Sequence, residues 1–511
     1  MSQTASKNRL KIAFIHPDLG IGGAERLVVD AAVGLQEEGH EVVIYTSHCD
    51  KTHCFEEIKS GILKVEVFGD QLPTNSLGRF FIVFANLRQL YLVLQLALRR
   101  KLDAHDLYIV DQLSTCLPFL HVLSSAKLLF YCHFPDQLLA LRSGIMKRLY
   151  RVPFDLFEQF TMGTADSVVV NSGFTKSIYQ KTFPYLKGSP KVIYPCVDLS
   201  LPEVDEFDQN FLNRLLGQND QFYLSINRYE RKKNISLALQ AYALSKQRGE
   251  NDNKLIICGG YDERIAENVK YLKELQQEAK SLDLSHTSIF YPEVQQSKNF
   301  DQLEVTDCKV IFLTSVSSSL KELLLRRMEL LLYTPSFEHF GIVPLEAMKH
   351  GKPVIAVNTG GPLETVETLV HGQNEAVATG WLKNADAAEW AEAINEFTNV
   401  KNDASVNFAH NGPDRIKKYF SREAMTSSFE EDIDSFISKD KEVYGWEFAR
   451  DVMVNGLLQV CCMRIFERQN LIWPYLMLAI VSVFYFKSWR FGTFWSALVT
   501  ATAYDMWHSG P

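Results

Sequence analysis

Short apolar runs alternate with helical stretches twice along this chain, and this alternation constrains its fold more than any other feature. The first series has β-rich apolar runs at 11–16, 41–47, 64–68, 106–111, 127–133, 167–171 and 191–195. The second series has runs at 222–227, 254–260, 288–292, 329–335 and 352–358. Continuous apolar strands separated by helices are typical of parallel sheets covered on both faces. The sequence therefore predicts an α/β architecture of two tandem doubly wound Rossmann-like domains that face a cleft.

The length of the chain agrees with this division. A chain of 511 residues is longer than one hydrophobic core normally serves. The apolar periodicity lapses over residues 198–220, and the second series is complete by about residue 435. We predict an N-terminal domain at 1–205, a C-terminal domain at 206–440 and a hydrophobic tail at 441–511. Ligands of such sheets bind outside the carboxyl ends of the strands, so the informative residues directly follow strands.

The tail holds two apolar runs. Residues 471–486 are 16 residues without a charge, a helix of about 24 Å against a hydrocarbon core of about 30 Å. Residues 491–504 form the second run, and Trp and Tyr side chains mark the segment as interfacial. We expect the tail to associate with a membrane; a helical hairpin packed on the protein body is the alternative.

A further apolar stretch lies at 79–101 and carries polar residues in its middle: Asn86, Arg88 and Gln89. This pattern favours a helix that is buried on one face, or that faces lipid, over a helix that spans a membrane.

Charge and cysteine usage exclude some classes of protein. The net charge of −8 argues against a general nucleic-acid binder. Nine cysteines, an odd number spread along the chain, indicate a reducing compartment and no disulfide framework. No apolar stretch precedes the first strand, so no cleavable secretion signal is expected. The sequon at Asn234 falls inside a motif assigned below to phosphate binding, which favours the cytosolic side of a membrane.

A glycine-rich loop follows the first strand. Gly20, Gly22 and Gly23 precede a helix whose free N–H groups and positive dipole end suit an anion. The third glycine and the ribose-binding acid of the dinucleotide fingerprint are missing. The chain has no Walker A sequence, which excludes most nucleoside triphosphatases.

A basic turn follows the first strand of the second series. Arg228 and Lys233 are five residues apart across a strand-to-helix turn and can close on a diphosphate from two sides. Taken alone, a solvated basic loop is the alternative interpretation.

The strongest element is 336–356, in which Glu338 and Glu346 are eight residues apart with a helix starting near Pro344. The N–H groups of Phe340, Gly341 and Ile342 are predicted to face an anion or a sugar. One carboxylate can reach a hexose hydroxyl and the other a ribose.

These three motifs and the duplicated α/β layout, over residues 11–435, resemble the family 4 retaining glycosyltransferases of the GT-B fold. Segments 131–140, 337–348 and 358–366, together with the tail, are similar to fungal enzymes of that family that add α-1,3- and α-1,6-linked mannose to dolichol-linked oligosaccharides. The resemblance implies GDP-mannose as donor, dolichol-diphosphate-linked oligosaccharide as acceptor, and other mannosyltransferases of the pathway as candidate partners. It also implies the endoplasmic reticulum membrane, with the catalytic domains on the cytosolic face.

The resemblance further implies roles for the donor-site residues. Arg228 and Lys233 would neutralise the donor diphosphate in place of a metal ion, and no other cofactor is expected. Glu338 would bind the donor mannose with the loop of Phe340, Gly341 and Ile342.

Three further positions complete the implied site. Glu346 would hold the ribose, and Gly22 and Gly23 would approach the phosphates from the N-terminal, acceptor-binding domain. His133 occupies the place of a family histidine near the reacting sugar; a lone histidine at a strand end is otherwise more often structural.

Two motifs are interpreted as unrelated to the chemistry. Asp432 and Asp434 mimic a metal-binding DxD motif, but their polar helix predicts solvated surface. The His and Cys residues of 48–54 lack a second half with zinc spacing and predict an ordinary loop.

Other functions stay open at this point. They are the α-1,2-mannosyltransferase of the same pathway, another nucleotide-sugar enzyme of this fold such as an epimerase, and an inactive scaffold.

Overall fold

The computed structural model describes residues 9–76, 80–139, 145–186, 188–199, 203–216, 221–248, 253–299, 305, 307–401, 403 and 405–439. They form two compact units. Of the described residues, unit 1 contains those up to Asn171, those of Thr175–Ile193 and 426–439, and unit 2 contains Ser172–Phe174 and those of Tyr194–Met425. The predicted membrane-associated tail at 441–511 lies outside the described residues.

Unit 1 is built on a seven-stranded parallel sheet of order β3-β2-β1-β4-β5-β6-β7. Its central strands are buried on both faces, as their continuous apolar sequences predict. The strands are β1 Lys11–His16, β2 Glu41–Thr46, β3 Lys64–Val67, β4 Leu107–Asp111, β5 Lys127–Cys132, β6 Ser167–Val170 and β7 Lys191–Val192.

Unit 2 contains a second parallel sheet of seven strands, in the order β10-β11-β9-β8-β12-β13-β14. The strands are β8 Phe222–Ile226, β9 Lys254–Gly259, β10 His286–Phe290, β11 Val310–Thr314, β12 Leu330–Tyr333, β13 Val354–Val357 and β14 Gly380–Lys383. Two of these strands, β11 and β14, are absent from the predicted series. The β11 sequence is fully buried and carries the same apolar signal as its neighbours, whereas β14 is a four-residue edge strand with only two buried residues.

Helices connect the strands and cover the sheets. The helices of the first half are α1 Gly23–Glu37, α2 Glu56–Lys59, α3 Phe81–Leu98, α4 Leu117–Leu123, α5 Asp136–Leu139, α6 Ile145–Met162 and α7 Gly173–Thr182. Those of the second half are α8 Glu206–Leu215, α9 Ile235–Arg248, α10 Ala266–Ser281, α11 Tyr291–Ser297, α12 Ser318–Arg327, α13 Ile342–Lys349, α14 Pro362–Thr365, α15 Ala387–Val400, α16 Phe408–Tyr419 and α17 Arg422–Phe436.

Each sheet has a point at which its strand order reverses. In unit 1, β1 lies between β2 and β4, and in unit 2, β8 lies between β9 and β12. The loops that leave the carboxyl ends of two such adjacent strands run to opposite sides of the sheet, and a crevice opens between them. Ligand-binding residues are therefore expected after β1 and β4 in unit 1, and after β8 and β12 in unit 2.

Helix α3 packs on the sheet of unit 1 through the polar residues in its middle. Buried Arg88 donates hydrogen bonds to the carbonyls of Gly69 and Ser47, at 3.2 and 3.1 Å. Gln89 donates to the carbonyl of Leu113 at 2.7 Å. These contacts are those of a helix buried on one face, which is the interpretation that the sequence favoured.

The C-terminal part of α17 belongs to unit 1 and packs closely there. A Cβ atom on Gly34 would collide with the hydroxyl of Thr426, so only glycine allows this approach to α1. The carboxylate of Asp432 is 1% exposed, accepts a hydrogen bond from Ser167 at 2.8 Å and lies 2.9 Å from the ammonium of Lys191. The prediction that this aspartate is solvated surface was therefore wrong, because its side of the helix faces the amino ends of β6 and β7.

The two aspartates provide a matched test of this packing. We expect Asp432→Ala to lower the free energy of unfolding by about 1–3 kcal/mol, because it removes the hydrogen bond and the ion pair of a buried carboxylate. Exposed Asp434 is the control, and Asp434→Ala should change stability by less than about 0.5 kcal/mol. Thermal unfolding of the purified full-length chain measures both. Equal midpoints for the two variants would contradict the packing of α17.

Candidate active site

The basic turn after β8 is attached to the end of β12. Arg231–Lys233 form one turn of 3-10 helix, and Asn234 ends it in a left-handed conformation with φ 49°. The hydroxyl of Thr334, directly after β12, donates to the carbonyl of Lys233 at 2.6 Å. The Lys233 ammonium lies 2.7 Å from Oε2 of Glu338, and this pair is half-buried. The two loops at the switch point of unit 2 are thus joined by the two residues predicted to bind the phosphate and the sugar.

Arg228 lies on the same turn but points to solvent. Its guanidinium is 62% exposed and pairs with Oε1 of Glu230 at 2.8 Å, while Lys232 pairs with the other oxygen of Glu230. An exposed guanidinium held by one neighbouring carboxylate can turn toward an incoming phosphate at little cost. Arg228 and Lys233 therefore supply one mobile cation and one fixed cation.

The loop after β12 has unusual backbone geometry. Phe337 and Gly341 have φ angles of 57° and 81°. Within the described part of the chain, no hydrogen bond is donated by the N–H groups of Phe340, Gly341 or Ile342, the three amides predicted to face a ligand. Since Gly341 is the N-cap of α13, these amides are also at the positive end of that helix dipole.

Two glycines of the segment 358–366 support this loop from behind. A Cβ on Gly360 would collide with the backbone of Glu338, and a Cβ on Gly361 would collide with the backbone of Phe340. The N–H of Gly361 donates to the carbonyl of Glu338 at 2.7 Å. The loop that carries Glu338 is therefore set in place by a backbone contact that only glycines permit.

Glu346 has a partner that the sequence did not predict. Its Oε1 lies 2.7 Å from the ammonium of Lys321 on α12. Its Oε2 is buried and accepts no hydrogen bond from the described residues. A carboxylate with one oxygen held and the other vacant is suited to accept hydroxyl groups, such as those of a ribose.

A tyrosine lies close to both glutamates. Tyr333 ends β12 and is buried. Burial is the largest cause that raises the pKa of its phenol far above the ordinary value, and the charges of Glu338 and Glu346 raise it further. Both carboxylates therefore act on one phenol, which remains neutral and able to donate a hydrogen bond. Tyr333 and Lys321 were both missed by the sequence reasoning, because neither belongs to a local motif.

The remaining predicted site residues, Gly22, Gly23 and His133, belong to unit 1. Gly22 is the N-cap of α1, and a Cβ on it would collide with the carboxylate of Glu25. Among the described residues, no hydrogen bond is donated by the N–H groups of Gly22 and Gly23. The Glu25 carboxylate also lies 4.0 Å from Nε2 of His16, which connects the glycine-rich loop to a histidine cluster.

The histidine cluster is centred on a buried aspartate. Asp111, at the end of β4, lies 2.7 Å from Nδ1 of His16 and 2.6 Å from Nε2 of His133. Burial opposes ionisation of Asp111, but the two imidazoles outweigh it and lower its pKa to about 2. Asp111 is thus an ionised carboxylate between two imidazoles. Neither Asp111 nor His16 was predicted from sequence.

Among the described residues, no group of three or more His, Cys, Asp and Glu side chains is in position to hold a metal ion. In the segment 48–54, His48 pairs instead with Asp70 at 2.6 Å.

Comparison with known proteins places this site in a family. Residues 21–201 match the model described as Glycosyltransferase Family 4, and residues 207–415 match Glycosyl transferases group 1. The chain is 59% identical to alpha-1,3/1,6-mannosyltransferase ALG2 of Saccharomyces cerevisiae, over 98% of each chain. It is 45% identical to the enzyme of that name in Schizosaccharomyces pombe, over 89% of this chain and 86% of the relative. The chain belongs to this family of glycosyltransferases.

Solved structures of glycosyltransferases confirm that this chain has the GT-B fold. Anabaena HepE in complex with UDP is 21% identical with a TM-score of 0.56, over 83% of this chain and 100% of that one. The catalytic domain of Arabidopsis thaliana starch synthase IV, bound to ADP and acarbose, has a TM-score of 0.60 at 15% identity, over 84% and 100% of the two chains. The names of the fungal relatives favour the α-1,3/1,6 enzyme over the α-1,2 enzyme.

Substitutions of Glu338 and Glu346 in this glycosyltransferase should affect transfer and nucleotide binding differently. We expect Glu338→Gln to impair transfer while it leaves the affinity for GDP within about threefold, since Glu338 is assigned to the hexose. Glu346→Gln and Lys321→Met should each weaken GDP binding by about 10- to 100-fold, the effect of losing a charge-assisted hydrogen bond. Calorimetry with GDP measures all three, and equal affinities in the Glu338 and Glu346 variants would contradict this division of roles.

Proposed function

We propose that the protein transfers mannose from GDP-mannose to the lipid-linked acceptor Man-GlcNAc2-diphosphodolichol, and that it adds the α-1,3- and α-1,6-linked mannoses with retention of configuration. The observation that carries this proposal is the presence of the paired Lys233 and Glu338 at the switch point of a chain 59% identical to a named α-1,3/1,6-mannosyltransferase over 98% of its length.

Donor binding would use two positive charges of unit 2. Lys233 and Arg228 would take the diphosphate, and the free amides at the N-terminus of α13 would add hydrogen bonds to the phosphate or the sugar. Lys233 is paired with Glu338 at 2.7 Å. Phosphate would thus compete for its ammonium, and Glu338 would be released to accept hydroxyl groups of the mannose.

Retention would follow from front-face attack. The acceptor hydroxyl oxygen would form its bond to the anomeric carbon on the face from which GDP departs, while the bond from that carbon to the phosphate oxygen breaks. The departing β-phosphate would take the proton of the acceptor hydroxyl. The two cations would stabilise the negative charge that develops on GDP, which is the role a metal ion has in other transferases.

One assay tests the proposed activity. The purified full-length protein is offered a lipid-linked monomannosyl chitobiose acceptor with GDP-mannose, UDP-glucose or UDP-N-acetylglucosamine. We expect transfer from GDP-mannose alone and a product with one α-1,3 and one α-1,6 mannose. A single α-1,2 product, or transfer from a uridine donor, would overturn the proposal.

Metal dependence can be tested on the same reaction. If Arg228 and Lys233 take the place of a metal ion, the initial rate should be unchanged in EDTA. Lys233→Ala should lower kcat by about 100- to 1,000-fold, the usual effect of removing one preorganised charge-stabilising group. Exposed Lys232→Ala, from the same turn, is the matched control and should retain most of the activity. Loss of wild-type activity in EDTA, with recovery on adding a divalent ion, would refute the assignment.

A membrane surface would be the site of action. Helices α3 and α4 together expose an apolar surface in unit 1, which we call the α3–α4 surface. Its members are 44% to 69% exposed: Phe81, Leu87, Leu94, Leu98, Phe119, Val122 and Leu123. Among the described helices, α3 alone is long and apolar enough to cross a bilayer, with a mean hydropathy of 1.6. Because Arg88 and Gln89 attach it to the sheet, we propose that it lies in the interface and does not span.

The compartment would be the cytosolic face of the endoplasmic reticulum membrane. The seven cysteines in the described segments are free thiols, which agrees with a reducing environment. The only sequon places a glycan acceptor at Asn234, immediately after Lys233, where a glycan would block the phosphate site.

The α3–α4 surface predicts a difference between two kinds of acceptor. Leu94→Ser with Leu98→Ser should lower the rate on long-chain acceptor in phospholipid vesicles by at least tenfold, since each leucine would lose about 1–3 kcal/mol of apolar burial. The rate on a short-chain acceptor in detergent should not change. Val370→Ser with Val377→Ser, which removes exposed apolar side chains from unit 2, is the control. Equal losses on both acceptors would contradict an interfacial role.

A further inference from the structure

The cluster of His16, Asp111 and His133 lies at the switch point of unit 1, and of these three residues only His133 has been given a role. It arises from the register of three adjacent strands. Ile15 pairs with Val110, so the next residues, His16 and Asp111, are neighbours across β1 and β4. Asp111 pairs with Tyr131 on β5, and His133 is two residues further on. Because side chains alternate between the faces of a strand, these positions bring His133 back to the side of Asp111.

The three side chains are graded in exposure. The side chains of His16 and Asp111 are 0% and 1% exposed, whereas that of His133 is 22% exposed. A buried carboxylate is costly unless it is paired, and a well-packed apolar group would usually serve stability as well. The ion-paired cluster thus opens to the outside through His133, at the end of the sheet where ligands bind.

The distances determine where the imidazole protons are. Both oxygens of Asp111 can accept a hydrogen bond, because the carboxylate is ionised, and Oδ2 accepts one from Nδ1 of His16. Oδ1 faces Nε2 of His133 in a short ion-pair contact. A ring nitrogen 2.6 or 2.7 Å from such an oxygen must carry a proton, since two lone pairs at that distance would repel each other. A neutral His133 therefore has its proton on Nε2 and a free lone pair on Nδ1. Within the described part of the chain, Nδ1 of His133 has no hydrogen-bond partner. Its Nε2 and Oδ1 of Asp111 are in ion-pair contact at 2.6 Å, without the angles of a regular hydrogen bond.

We propose that Asp111 and His16 are positioning residues, which lock His133 in the Nε2-protonated form so that its Nδ1 accepts a hydrogen bond from a hydroxyl group of the reacting hexose. Asp111 holds the ring of His133 directly. His16 holds the other oxygen of Asp111, so that the carboxylate cannot rotate away. The contact of His133 with the ring of Tyr131, with centroids 4.9 Å apart, restrains the remaining freedom of the imidazole. Only the identity of the hexose, mannose, depends on the proposed function.

Asp111→Asn is the direct test, because the amide has nearly the same shape but only one accepting oxygen. One imidazole must then face an N–H donor and change its tautomer. We expect kcat at pH 8 to fall by about 10- to 100-fold, with KM for the donor and the affinity for GDP changed by less than about twofold. The control is Asp166→Asn, at the opposite edge of the same sheet. Its carboxylate is 2% exposed and accepts the N–H of Leu128 at 2.8 Å. It should lower thermal stability similarly and leave kcat unchanged.

A double-variant cycle separates positioning from a structural role. If Asp111 acts through His133, Asp111→Asn should have little further effect on kcat in a His133→Ala background. A further loss as large as in the wild-type background would overturn the proposal, and so would a wild-type kcat in Asp111→Asn. If the wild type does not use GDP-mannose, the proposed function fails on its own. The same cycle, run with whichever nucleotide sugar the wild type uses, still decides the role of Asp111.

Discussion

The ion pair between Lys233 and Glu338 is the interaction on which the proposed donor site depends. It joins the loop after β8 to the loop after β12, and these are the two strands at which the order of the second sheet reverses. A partly buried ammonium is costly without a counter-ion, so the pair also keeps Lys233 in place before a phosphate arrives. The rest of unit 2 supports this pair, since Gly360 and Gly361 fix the loop of Glu338 and Thr334 fixes the backbone of Lys233.

Unit 1 also carries a cluster of charged and polar side chains at its switch point, but the groups differ from those of unit 2. Its switch point holds a carboxylate between two imidazoles, and the neighbouring glycine-rich loop leaves the first amides of α1 unbonded within the described chain. Cations of unit 2 suit the diphosphate of a nucleotide sugar, whereas the His133 lone pair suits a hydroxyl group. In both units the polar groups are carried on the ends of buried parallel strands, which makes their geometry rigid.

Most of the fold and the donor-site residues could be predicted from the sequence, because the motifs lie directly after predicted strands. Apolar runs located twelve of the fourteen strands in the described part of the chain. Lys233 and Glu338 lie in segments that follow strands, and Glu346 lies in the helix after the loop of Glu338, as their motifs indicated. The contributions of Lys321, Tyr333, Asp111 and His16 could not be predicted, because each depends on which strands become neighbours. Asp432 was misjudged for a related reason, since helix polarity shows which residues can be solvated but not what packs against them. The short edge strand β14 has too few buried residues to give a signal.

The most direct test of the central claim is a double-variant cycle on Lys233 and Glu338, measured as kcat/KM for GDP-mannose. If the two side chains form one unit at the switch point, Lys233→Met and Glu338→Gln should each cause a large loss. The double variant should then lose less than the product of the two, with a coupling free energy of about 0.5–3 kcal/mol. If the loss of kcat/KM in the double variant equals the product of the two single losses within experimental error, Lys233 and Glu338 do not act as one unit.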